Sequence, residues 1–148
     1  MFSRFAAARI FALGAVLTMS VPSHAVDSND RPVPELAAVR AQIDQGGYDQ
    51  AIVLLRQVIA ARPNDADALN LMGFSLRKSG DFDRALGFYQ KALRIEPGHL
   101  GANEYLGELY VETGEAEGAQ RQLIALEGLC GTSCEEYLDL KTAIAAAN

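Results

Sequence analysis

Histidine and cysteine are nearly missing from this chain, two of each in 148 residues. His24 falls near the N-terminus, and His99 is far in sequence from Cys130 and Cys134. Zinc sites gather three or four N, O or S ligands, so this thin supply argues against a resident metal. No Gly-rich phosphate loop and no two-histidine helical motif is present. Ser75, Ser79 and the acids fall into no pattern of nucleophile, base and orienter. The expectation is a chain that is no enzyme and takes no cofactor.

Basic residues are the minority charge, 13 against 19 acids, for a formal net charge of −6. An acidic surface repels phosphate backbones, so nucleic acid is not an expected partner. Long apolar runs are missing too. A membrane span needs about 20 apolar residues, and the run from Ile10 to Met19 falls well short of that. Arg4 and Arg9 precede it, and Pro22 and Ser23-His24-Ala25 follow, with small residues placed for a cut after Ala25. This is the pattern of a secretory signal peptide over residues 1–25. Its removal takes away two arginines and no acid, leaving a mature charge of −8 and no membrane span. No cysteine follows the cut, so no lipid anchor is expected there. Residues 26–32 read as a flexible leader, and the protein as periplasmic or secreted.

What the chain does have is a repeat. Pro63 and Pro97 stand 34 residues apart, as do Gly46 and Gly80, Tyr48 and Phe82, and Ala51 and Ala85. The same step carries Gly73 to Gly107, Leu76 to Tyr110, Gly80 to Gly114 and Ala85 to Ala119. Small, aromatic and proline positions kept in phase at this period mark stacked units. Leu69, Met72 and Leu76 form one apolar stripe at helical spacing, and Phe82, Ala85, Tyr89 and Ala92 form the facing one. Gly80 reads as a left-handed cap, Asp81 as an N-cap and Pro97 as a helix stop. Gly73 and Gly107 lie mid-helix, where glycine costs about 1 kcal/mol against alanine. That cost points to close approach of a neighbouring backbone.

Six helices are expected in the array. They are Val33–Gln45, Tyr48–Ala61, a third capped by Asn64 and Asp65 and running to Ser79, Phe82–Ile95, His99–Thr113 and Glu115–Leu129. An array end exposes an apolar face and needs a cap. Ser133 and Glu136 have capping-box spacing, and Tyr137, Leu140, Ile144 and Ala147 make an apolar stripe behind them. A seventh helix over Ser133–Ala146 is therefore expected to close the array.

The set Leu69, Met72, Gly73, Leu76, Ala85, Tyr89, Ala92 and Pro97 resembles the tetratricopeptide repeat, with leucine for tryptophan at 69 and for tyrosine at 76. The next copy carries Asn103, Leu106, Gly107, Tyr110, Ala119, Leu123 and Leu126, with Gly131 where the proline belongs. The preceding copy is clear in its second helix (Ala51, Leu55, Val58, Pro63), but Val39 stands where the glycine belongs. Different packing is expected at that end. The resemblance covers residues 32–131. It implies an all-α, right-handed α-solenoid of about three helix pairs over 33–131 (33–63, 64–97, 98–131), with a C-terminal capping helix in 132–148.

The resemblance also implies a non-catalytic interaction module, an adaptor or assembly factor, that holds a peptide or helix of a protein partner in its concave groove. The family's groove positions fall on Leu36, Arg40 and Ile43, on Asn70, Phe74 and Arg77, and on Glu104, Glu108 and Val111. Some relatives clamp a terminal carboxylate there, and Glu104 and Glu108 oppose such a ligand and suit a basic or apolar segment instead. Phe74 reads either as a ligand anchor or as packing under the preceding repeat. His99, after Pro97-Gly98, reads as a surface turn residue.

Cys130 and Cys134 leave three readings open. In an exported chain the first is a structural disulfide, whose tiny loop is worth about 2 kcal/mol. The second is a pair of free thiols. The third is a thiol pair that binds a soft metal or exchanges disulfides, and this is the rival function.

Overall fold

The computed structural model describes residues 33–147. The signal peptide expected over 1–25 and the leader over 26–32 lie outside the described residues. Seven helices run in order: α1 (Leu36–Asp44), α2 (Tyr48–Ala61), α3 (Ala66–Lys78), α4 (Phe82–Ile95), α5 (Leu100–Glu112), α6 (Ala116–Cys130) and α7 (Glu135–Ala146). The described residues are helical and turn, with no strand.

Two starts differ from expectation by more than one residue. α1 begins at Leu36, not Val33, because Pro34 holds the residue before it extended and Glu35 is the N-cap. α7 begins at Glu135, and its N-cap is Cys134 with no side-chain capping bond. The capping box on Ser133 is therefore not formed. Gly131 turns the chain at φ +81°, and the pairing of Cys134 with Cys130 leaves Ser133 in the connecting turn.

The period is built into the turns. Gly46, Gly80 and Gly114 all have positive φ, which glycine adopts without steric cost. After α3 the Gly80 N–H donates to the Arg77 carbonyl and the Asp81 N–H to the Leu76 carbonyl, both at 2.9 Å. The same two bonds recur after α1 and after α5. They satisfy helix-end carbonyls and aim each second helix back along its partner. Asp81 then caps α4 by accepting from the Arg84 N–H, and Asp65 caps α3 by accepting from the Ala68 N–H.

Stacking follows from which helices touch. α1 packs on α3, α3 on α5, and α5 on α7, whereas α2, α4 and α6 make no contact with one another among the described residues. The first helices form a closely packed inner row and the second helices fan apart, so the array curves with α1, α3, α5 and α7 on its concave side. α7 takes the place that the first helix of a fourth pair would hold.

One position in each pair sets the spacing within it. In the middle pair the Tyr89 ring, fully buried, lies on Gly73, where an added Cβ would meet it at 2.7 Å. In the first pair the matching residues are Val39 and Leu55, both at 0% exposure. A small and a very large residue are replaced by two of middle size. Val39 thus sits in the core where the glycine does, with a different pair of side chains filling the gap. In the third pair Leu123 stands at the Tyr89 position, and Leu140 of α7 lies over Gly107, at 2.4 Å from a Cβ placed there. What approaches these glycines is a side chain, not the backbone that the sequence suggested.

Gly73→Ala is expected to cost about 1–3 kcal/mol through overpacking of the Tyr89 ring. Gly87→Ala, where an added Cβ meets nothing within 4 Å, should add about 0.5–1 kcal/mol of stability. Urea denaturation of both variants checks the opposite signs.

Candidate partner-binding groove

Arg77 dominates the concave face from beneath it. Its side chain is 2% exposed, with one guanidinium nitrogen 2.5 Å from Glu108 and another 2.6 Å from Glu112. The guanidinium also lies over the rings of Phe74 and Tyr105, 5.5 and 5.7 Å from their centroids. Burial alone would lower its pKa, but the Tyr89 hydroxyl and the two carboxylates carry it above the ordinary value. Burial holds the Tyr89 phenol well above its usual range, so it stays neutral beside this cation. Arg77, placed among the groove residues by sequence, is instead an internal latch between α3 and α5. Its charge is already spent on Glu108 and Glu112, so it is corrected from partner-binding to structural.

Phe74 is half-buried. It meets Tyr48 of the preceding pair edge-on at 6.3 Å and Tyr105 of the next pair at 4.8 Å. The packing alternative therefore holds in both directions, and the Lys78 ammonium lies 5.5 Å from the ring centroid. Arg40 remains half exposed and pairs with Asp67 at 3.6 Å. Asp67 in turn lies 3.3 Å from Nε2 of His99.

His99 is more than a turn residue. It is the N-cap of α5, with Nδ1 accepting from the Ala102 N–H at 3.1 Å, and its side chain is only 12% exposed. The accepting Nδ1 leaves the ring proton on Nε2, directed at Asp67. The signal was available in the sequence, since His99 stands one period after Asp65, the N-cap of α3.

Asn70 and Glu104 occupy one period-related position on α3 and α5, and both are nearly covered, at 5% and 8% exposure. Neither presents the open groove surface that the sequence reading assigned to it. The Oδ1 of Asn70 is buried with no hydrogen-bond partner. Burial, with Glu108, Asp139 and Glu136 nearby, pushes the Glu104 carboxyl up to about 8, against a smaller opposing pull from Arg77. Glu136 and Asp139 escaped the sequence reading because α7 reads there as a cap alone.

Cys130 and Cys134 are paired across the turn between α6 and α7, with Cα atoms 6.0 Å apart. With Glu136 they form the one cluster among the described residues close enough to hold a metal ion, but paired sulfurs offer no thiolates to it. No helix among the described residues is long and apolar enough to cross a membrane.

Two sequence profiles of the tetratricopeptide repeat match, over residues 36–99 and 76–144. The chain is 30% identical over 86 residues to the TPR repeat-containing thioredoxin TTL4 of Arabidopsis thaliana, covering 58% of this chain and 12% of that one. It is 31% identical over 90 residues to the probable biofilm formation methyltransferase WspC of Pseudomonas aeruginosa, covering 61% of this chain and 21% of that one. The chain thus spans under a quarter of these relatives' lengths. Among solved structures it is similar to the Yersinia enterocolitica type III secretion chaperone SycD in complex with a peptide of the translocator YopD. The TM-score is 0.64 at 17% identity, covering 75% of this chain and 84% of that one.

Arg77→Ala should cost about 3–5 kcal/mol, since it strands carboxylates against a buried face. Glu112→Gln, whose side chain is 39% exposed, should stay within about 1 kcal/mol. For Glu104 the sign runs the other way. A carboxyl raised by folding adds stability at low pH and loses it as pH climbs through about 8. Glu104→Gln should match the parent near pH 4.5 and exceed it near pH 9, on the order of 2 kcal/mol after allowing for water at the crevice mouth. Chemical denaturation across that range checks both.

Proposed function

Since the chain belongs to the tetratricopeptide repeat family, we propose that it is a non-catalytic adaptor or assembly factor that holds a segment of a protein partner in its concave groove, outside the cytoplasm. The observation that carries this reading is the inner row of α1, α3, α5 and α7. It leaves Arg40, Lys78 and part of the Phe74 ring open at one end and an acidic wall at the other. An aromatic held rigid by neighbours on both sides makes a low-entropy anchor for a partner side chain. The SycD structure with a translocator peptide supports the mode of binding, and the leader sequence supports the compartment. The bridge between Cys130 and Cys134 reads as a staple that ties the start of α7 to the end of α6. The thiol-dependent rival requires those sulfurs to be free.

Photo-crosslinkers at Arg40 and Lys78 should trap a discrete protein partner in the native compartment, and the trapped chain should begin at Val26. Arg40→Glu, on an exposed side chain, should weaken capture roughly tenfold, about 1.4 kcal/mol, with the helical circular dichroism unchanged. Undiminished capture by that variant and by Phe74→Leu would remove the groove assignment. Titration of the native chain with a thiol reagent should find no reactive sulfhydryl, and two would favour the rival.

A further inference from the structure

The groove carries a feature that the family resemblance does not supply. Along α5 the acids Glu104, Glu108 and Glu112 recur every four residues on one face, and Glu136 and Asp139 of α7 stand across from Glu104. Arg77 takes up Glu108 and Glu112. Glu104 makes no hydrogen bond or ion pair among the described residues, although nine-tenths of it is buried. The Asn70 side chain lies against α5 at Gly101, where an added Cβ would meet its Nδ2 at 3.2 Å. The Asn70 Oδ1 is a separate buried acceptor without a donor. Glu104 is thus a largely covered carboxyl with no N–H donor from the described residues beside it. A separate open cleft lined by Asp65, Asp67, Glu96, His99 and Glu136 lies at the starts of α3, α5 and α7.

We propose that this acidic face is a socket for one lysine or arginine side chain of the partner segment, with its N–H groups donating to the Glu104 carboxylate beside Glu108, Glu136 and Asp139. The proposal rests on the groove reading and names the chemistry of the partner at one point in it. A bare divalent ion fits less well. Carboxylates able to close on a metal would lie together, and the one described cluster that does so is Cys130, Cys134 and Glu136. A cation on a long stem bridges more widely spaced acceptors and brings several donors.

The socket has a pH signature. Free Glu104 carries its proton up to about pH 8, and an inserted cation favours the carboxylate, so binding expels that proton. The groups facing Glu104 are Arg77 from α3, Glu108 and Tyr105 from α5, and Glu136 and Asp139 from α7. His99 lies in the adjoining cleft and is a second titrating group to separate.

The test uses the purified chain and an N-acetylated, C-amidated alanine–serine nonapeptide with one central lysine, followed by NMR titration. Its norleucine and glutamate versions serve as controls. The lysine peptide should bind, and its affinity should rise roughly 20-fold from pH 6.5 to 8.5 as one proton is released. Glu104→Gln, close to isosteric, should flatten that rise. In the parent, the Glu104 carboxyl titration followed by carbon NMR should move down by about two pH units with peptide bound. Equal binding of the norleucine peptide would overturn the socket while leaving the groove reading in place. So would a pH dependence that survives Glu104→Gln, which assigns it to His99. Absence of binding by every peptide at pH 8.5 would also overturn the socket, and crosslinking in the native compartment would still decide the groove reading on its own.

Discussion

A guanidinium placed under the floor of an α-solenoid has to be surrounded, and meeting that need at Arg77 fixes how the second and third helix pairs join. The cation draws Glu108 and Glu112 from α5 onto α3 and lies against the packed ring pair of Phe74 and Tyr105. Breaking such a set is costly because charges would be left desolvated without a partner. The same arrangement settles the chemistry of its surroundings. With Arg77 engaged by two carboxylates, Glu104 is left with only a weak share of its field and remains near neutrality. The acidity of the groove is therefore unevenly distributed, compensated beside α3 and uncompensated beside α7.

The apolar framework depends on a different constraint, a filled gap at one place per pair. Val39 with Leu55, Gly73 with Tyr89, and Gly107 with Leu123 and Leu140 fill one kind of gap in three ways. The third way is what seats α7. A smaller residue at 123 leaves space over Gly107, and the cap helix enters it with Leu140, which is fully buried. Closing the array thus brings Glu136 and Asp139 opposite Glu104. An element read as a plug for an apolar end also becomes a wall of the site.

Much of this was legible in the residues. The 34-residue phase, the three turn glycines and the apolar stripes placed six helices within a few residues, because these signals are local and depend on backbone geometry. The groove was less legible. Register correctly named Arg40, Asn70, Phe74, Arg77, Glu104 and Glu108 as period-related positions, but register carries no depth. Whether Arg77 faces a ligand or a neighbour depends on acids more than 30 residues away, and their alignment on α5 shows only once α3 and α5 are packed. His99 was missed for the opposite reason. Its register matched the N-cap Asp65, yet histidine is not among the residues favoured at a cap, and residue type outweighed position. The start of α7 was misread because a local capping-box pattern ignored the cysteine pairing that crosses it.

The three central groove positions, Arg40, Phe74 and Glu108, differ in character although they are copies of one site. Packed helices lie about 8–10 Å apart and an extended chain advances about 3.3 Å per residue. A segment crossing the inner row would then pass one helix for about every three residues. On the groove reading it would meet a cation, then an aromatic, then acids. A segment matched to that order runs acidic, apolar, basic, and reversing it would set like charges against each other at both ends. The divergence of the copies would then give the groove a direction, which identical repeats could not.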